Sequence, residues 1–316
     1  MAEIRQIAAG LMFPEGPVAL PDGSVLVVEI AGGRLSRVTP DGAVSVIANL
    51  GGGPNGAAIG PDGKCYVCNN GGFEFTERNG RISPGLTTKD YTSGRIEKVD
   101  IHTGKFEVLY KACDGEPLKG PNDIVFDAAG GFWFTDHGKH YARSRDVTGV
   151  FYAQPDGSEI REMIFPMEGP NGIGLSPDES VLYVAETPTG RLWSYDLAGP
   201  GQFANVRPNG QPRRNLVVGL PGHQLFDSLA VDSAGNICVA TLVNGGITVI
   251  SPDGKNVEHM PMPDHGTTNI CFGGPELKTA YITLGTTGRL VAMDWPRPGL
   301  PLNFLNKQNA HPDLQS

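Results

Sequence analysis

The chain has 316 residues and a formal net charge of −9 at pH 7, a balance that argues against nucleic acid or an anionic membrane surface as a partner. Its 44 glycines are about twice the usual share of roughly 7 %. With 26 prolines and 39 % hydrophobic residues, and apolar runs from end to end, this excludes disorder and suits short strands joined by tight turns.

The N-terminal stretch "MAEIRQIAAGLMF" has no basic start followed by an apolar core, and no span of about 20 apolar residues occurs. The expectation is a soluble, cytoplasmic protein. "EIRQIAA" reads as a strand that belongs to none of the repeats that follow it.

Six related units then run along the chain. They are "PEGPVALPDGSVLVVE" from Pro14, "PNGAAIGPDGKCYVCN" from Pro54, "PNDIVFDAAGGFWFTD" from Pro121, "PNGIGLSPDESVLYVAE" from Pro170, "FDSLAVDSAGNICVAT" from Phe226 and "TNICFGGPELKTAYIT" from Thr268. Each holds a polar residue, a short apolar run, a turn rich in Pro, Asp or Gly, and a second run of strand-forming residues. A third run follows, as in "GRLSRVTP", "GRIEKVDI" and "GRLVAMDW", and a fourth in most units, as in "AVSVIANL" and "KFEVLYKA". Four short antiparallel strands repeated six times predict an all-β, six-bladed β-propeller, one domain over 1–316. The sixth unit lacks a fourth strand, because "RPGLPLNFL" carries two prolines. The N-terminal strand is therefore expected to close the last blade, with a C-terminal tail from about 300 to 316.

Two features interrupt the pattern. "CYVC" (Cys65 to Cys68) has metal-like spacing, yet residues three apart on a strand point to opposite faces, and no second Cys/His cluster exists. Five cysteines exclude a complete disulfide framework, so buried, reduced cysteines are expected. The second unit carries the longest insertion, residues 71–94, polar with Phe73, Phe75 and Tyr91 interspersed, and is expected to be a lid.

In register, the polar position is Glu15, Asn55, Asn122, Asn171, Asp227 and Asn269. Turn preference explains an asparagine before glycine, but not why carboxylates replace it at the same register. The innermost strands of a propeller surround its channel, so these oxygens converge. Two carboxylates buried together call for a cation, and hard oxygen donors suit one divalent ion, Ca²⁺ foremost, with Zn²⁺, Mn²⁺ and Mg²⁺ as alternatives. No GxSxG grammar and no phosphate- or dinucleotide-binding glycine motif is present.

The ordered elements "PEGP", "PND", "PNG", "FDSLAVD" and "TTNICFGG" resemble the senescence marker protein (regucalcin)/gluconolactonase/luciferin-regenerating-enzyme family, over residues from about 10 to 295. The resemblance implies a divalent-metal-dependent lactonase, a carboxylic ester hydrolase acting on a sugar-acid or related small lactone, with the ion in the channel as Lewis acid. It implies Glu15, Asn122, Asn171 and Asp227 as metal ligands, with Asp227 and Asn122 catalytic. Asn55, Lys119, Asp123 and Glu186 are the candidate substrate-binding residues. Two positions depart from the family: sugar lactonases usually carry an arginine shortly before the "PND" asparagine, where this chain has Lys119 and Gly120. The late aspartate is usually followed by glycine, here Ser228. A phosphotriesterase of the diisopropylfluorophosphatase type and a non-enzymatic calcium-binding propeller are the alternatives.

Overall fold

The computed structural model describes residues 3–307 and Leu314. Six antiparallel sheets of four principal strands form six blades. Their innermost strands are Pro14–Ala19, Pro54–Ile59, Pro121–Phe126, Pro170–Leu175, Leu225–Val231 and Thr267–Gly273. Each packs on the next, and the sixth packs on the first, so the ring is closed. Blade 4 adds a short outer pairing, Gln202–Phe203. A 3₁₀ turn lies at Pro275–Leu277, and among the described residues no helix is long and apolar enough to cross a membrane.

The closure expected from the sequence is present. Arg5–Ala9 pairs antiparallel with Arg289–Asp294, with Arg5 opposite Ala292 and Ala9 opposite Arg289. The first strand of the chain is thus the outermost strand of blade 6, and this pairing removes an open sheet edge.

Local chemistry explains the recurring turns. In blade 1 the Asp22 carboxylate accepts hydrogen bonds from the Ser24 backbone N–H (2.9 Å) and hydroxyl (2.6 Å). Asp62, Asp127, Asp178 and Asp232 accept the amide two residues on in the same way, mimicking a backbone turn. Blade 6 has "GGPELK" instead, and there the 3₁₀ turn replaces the Asp-capped hairpin.

The second strands, such as Val25–Glu29, Cys65–Asn69 and Phe132–Asp136, are buried along their whole length. Both their faces meet a neighbouring blade, which is why they read as unbroken apolar runs. Between blades 2 and 3 the contact is aromatic: Tyr66 meets Phe126 edge-on with ring centroids 5.0 Å apart, and lies 5.8 Å from Phe132. All five cysteines are free and buried, Cys65 and Cys68 included.

The insertion in blade 2 forms a β-hairpin, Phe73–Arg78 with Arg81–Thr87. Its Thr87 N–H donates to His140 O of blade 3 (2.9 Å), and its Ile82 N–H donates to Thr286 O of blade 6 (2.8 Å). Blades 3 and 6 stand opposite each other in a ring of six, so a segment bonded to both crosses the channel mouth. Phe75 also meets Phe13, which precedes the first inner strand, with centroids 5.5 Å apart.

The C-terminal segment closes the other end. Leu300 N–H donates to Val231 O of blade 5 (3.0 Å), and Asn303 donates to Phe126 O of blade 3 (3.1 Å) and to Glu179 of blade 4 (2.7 Å). Leu305 packs into the apolar cluster between blades 1 and 2. A cavity of about 110 Å³ remains between this plug and the polar residues above, lined by Val18, Ile124, Ile173, Leu229 and Ile270.

Candidate active site

Every inner strand shifts register at the polar position or within the next two residues, as between Glu15 and Val18, Pro121 and Ile124, or Pro170 and Ile173. A bulge of this kind re-aims a side chain that a regular strand would align with its neighbours. The glycine that follows the polar residue in three units has a separate cause. A Cβ at Gly16 would collide with Asn55 O, one at Gly56 with Asn122 O, and one at Gly172 would lie 2.7 Å from Asp227 O. Adjacent inner strands therefore touch backbone to backbone, which only glycine allows. "PNG" here serves close approach rather than a turn.

In two of the three units that lack that glycine, the substituted side chain joins the site; in the third, Ile270 lines the apolar cavity. Ser228 Oγ donates to Glu15 Oε1 (3.1 Å) and lies 3.4 Å from Asn171 Oδ1. It connects blades 5, 1 and 4. Asp123 accepts hydrogen bonds from the N–H groups of Ile124 (3.0 Å) and Ile173 (3.3 Å), tying blade 3 to blade 4. The sequence signal for both was their place at a register held by glycine elsewhere.

The remaining contacts draw the polar positions together. Asn171 Nδ2 donates to Asp227 Oδ1 (2.6 Å). Asn269 Nδ2 donates to Glu15 Oε2 (2.6 Å), and the Gly16 N–H donates to the same oxygen. Asn122 is buried and its Oδ1 has no hydrogen-bond partner. Asn55 is buried at the equivalent place in blade 2.

Three carboxylates share this volume, and their electrostatics are severe. Burial holds Glu15 well above the usual carboxylate range, with the charges of Asp227 and Asp123 adding to the effect. Burial likewise pushes Asp227 up to about 7, against the hydrogen bond from Asn171 and with Asp123 adding. Asp123 is pushed up to about 7 by burial, despite the backbone N–H groups that face it. None of the charges acting on the three is basic. Converging carboxylates with no counter-charge, beside a buried carbonyl oxygen without a donor, fit a bound cation. Among the described residues no three His, Cys, Asp or Glu side chains are arranged as a metal centre, so a site here must also draw on the amides of Asn122 and Asn171.

Of the other expected residues, Glu186 has its carboxylate engaged and Lys119 its backbone groups. Glu186 accepts from Glu168 N–H (3.1 Å), Thr189 Oγ1 (2.9 Å) and Trp193 Nε1 (2.8 Å). Lys119 is half-buried; its N–H donates to Asp136 and its carbonyl accepts from Tyr91 OH (2.7 Å). A Cβ at Gly120 would lie 2.8 Å from Gly138 O, so no side chain fits there. Lys139, which the sequence did not single out, is buried at the rim beneath the hairpin.

A closed six-bladed propeller whose inner strands deliver carboxylates and carboxamides into a capped channel defines the class of this protein. The model of the SMP-30/gluconolactonase/LRE-like region matches residues 13–286, and the chain belongs to that family. It is 28 % identical over 295 residues to a gluconolactonase of Zymomonas mobilis, covering 85 % of this chain and 76 % of that one. It is 30 % identical over 251 residues to lactonase drp35 of Staphylococcus haemolyticus, covering 79 % and 69 %. Among solved structures, a gluconolactonase of Xanthomonas campestris superimposes with a TM-score of 0.72 at 22 % identity, over 93 % of this chain and 90 % of that one.

Proposed function

We propose that the protein is a divalent-metal-dependent lactonase, with Glu15, Asn122, Asn171 and Asp227 holding the ion and Ca²⁺ the preferred occupant. The observation that carries the metal is the buried carboxylate cluster, which has no basic partner and stands beside the unpaired Oδ1 of Asn122. Support for the lactone comes from the family and from relatives named gluconolactonase and lactonase. When bound, a divalent ion supplies Lewis acidity toward an ester carbonyl and stabilises the charge that develops on its oxygen.

The chain's own residues do the rest. Asp227 is the acceptor for the proton of the attacking water. The water oxygen bonds to the carbonyl carbon, the ring C–O bond breaks, and the proton passes to the departing alkoxide, giving a hydroxy acid. Asn171 orients Asp227 through its 2.6 Å hydrogen bond, and Ser228 and Asn269 fix the Glu15 carboxylate. Asn122 presents its free carbonyl oxygen to the ion. The hairpin over the mouth excludes bulk water.

The substrate is drawn from sugar-acid and related small lactones, and the departure at Lys119 and Gly120 favours the latter. Lys119 and Gly120 stand where sugar lactonases carry their arginine, and Gly138 O closes the space beside Gly120. A panel of aliphatic lactones, gluconolactone and a fluorophosphate, assayed before and after removal of divalent ions, tests the reading. Hydrolysis of an aliphatic lactone that is lost with the ion and restored by Ca²⁺ is the expected result. Undiminished hydrolysis by protein shown to be metal-free would overturn it.

A further inference from the structure

We propose that Lys139 is the latch of the lid: its amine locks the two-glycine hinge of the 73–87 hairpin and so positions that hairpin across the channel mouth. The inference goes beyond the lactonase reading and does not depend on it.

The hinge is Asn70–Gly71–Gly72, where the chain leaves the second strand of blade 2 for the hairpin. Gly71 and Gly72 have φ of 78° and 103°, values that L side chains rarely adopt. Such a pair changes direction at little cost, so a hairpin hung from it needs something to hold its angle. Lys139 Nζ donates to Asn70 O (2.9 Å) and Gly72 O (2.7 Å), the carbonyls on either side of Gly71. One amine thus fixes both halves of the hinge.

Aromatic rings seal the latch. Nζ lies 3.6 Å from the centroid of Phe73, the first residue of the hairpin, and 5.1 Å from that of Tyr91, where the insertion returns. The face of an aromatic ring attracts a cation. Tyr91 is fixed in turn by its hydrogen bond to Lys119 O and packs directly against Gly71. Lys139 is fully buried, yet it sits on the loop of blade 3, whereas the hinge belongs to blade 2. A lysine is seldom buried without a specific partner, and here the hydrogen-bond acceptors and rings that its amine meets are all parts of the hinge or of the insertion. Burial lowers its proton affinity to about 7, opposed by the charges of Asp136 and Asp146. A neutral amine keeps two N–H donors, so both hinge bonds survive deprotonation.

Hydrogen exchange of the full-length protein, followed by mass spectrometry, tests the latch without a substrate. Lys139→Met keeps the length and apolar stem but removes both donors. Exchange in the hairpin, including the amides of Ile82 and Thr87 that bond to blades 6 and 3, should then accelerate at least about tenfold. Exchange in Val25–Glu29 and Phe132–Asp136 should stay as in the wild type. Lys139→Arg, which can still bridge two carbonyls and stack on Phe73, should recover most of the protection. Phe73→Leu, which leaves the amine in place, should give a smaller local increase, and it decides the question alone if Lys139→Met does not fold. Unchanged hairpin exchange in both Lys139→Met and Phe73→Leu, or an increase spread equally over the blades, would overturn the proposal.

Discussion

Removing divalent ions and following stability between about pH 5 and pH 8 probes the carboxylate cluster directly. Asp227 ordinarily ionises near 3.8 but in the folded chain near 7. Below about pH 4 both the folded and unfolded states hold this proton, whereas between about 4 and 7 only the folded state does. Unfolding then releases a proton, so stability falls as pH rises through that window and levels off above it. A displacement of roughly three pK units corresponds to about 4 kcal/mol for Asp227 alone. Glu15 shifts in the same direction, and its titration is coupled to that of Asp227, so the two do not add independently.

With an unfolding entropy of about 2.1 cal/mol/K per residue, 4 kcal/mol moves the midpoint of a chain this size by about 6 °C. A bound cation supplies the counter-charge, keeps the cluster ionised and abolishes this slope. The assay is thermal unfolding by scanning fluorimetry of metal-free and Ca²⁺-saturated protein across the range. The difference between the two curves cancels groups elsewhere, such as Asp178, whose carboxyl is held at about 2 by hydrogen bonds from Ser176 and Ser180. The midpoints should separate progressively from pH 5 to about pH 7 and then run level to pH 8. Curves that stay parallel would refute the reasoning, because the cluster would then feel no cation.

Substitutions at equivalent register should have unequal effects. Asp227→Asn should fold, bind Ca²⁺ more weakly and lose most of kcat, whereas Asn55→Ala should cost far less; calorimetric titration and steady-state kinetics at saturating ion compare them. Equal damage from the two would contradict the ligand assignment. Replacing residues 73–87 with a short Gly/Ser linker should change the ranking of lactones while leaving Ca²⁺ affinity intact, and an unmoved ranking would show that the hairpin does not shape the pocket.

The blades were legible because their causes are local: two-residue periodicity and buried runs repeat six times, and Asp-capped turns five times. Closure by "EIRQIAA" was legible because a strand without a unit matched a unit without a strand. The polar register was legible for the same reason, since Glu15 and Asp227 interrupt a row of asparagines that turn chemistry alone would explain. Three parts were not visible. The role of Ser228 depends on Glu15 lying within reach, 213 residues away in sequence. The plug at Leu300–Leu305 depends on apolar clusters contributed by other blades. Lys139 looks like an ordinary loop lysine until the hinge carbonyls and Phe73 surround it. Each of these depends on the closed ring rather than on its own neighbours in sequence.

The central claim is that one cation sits among Glu15, Asn122, Asn171 and Asp227. Crystals grown with Ca²⁺, and with Mn²⁺ as an anomalous scatterer, test it most directly. The account predicts a single strong anomalous peak in the channel, with side-chain oxygens of all four residues at roughly 2.3–2.6 Å in the Ca²⁺ form. It also predicts that Asn122 Oδ1, unpaired in the structure described here, is among those ligands. A channel holding only water at saturating ion, or an ion bound elsewhere with Asn122 Oδ1 still unengaged, would contradict it.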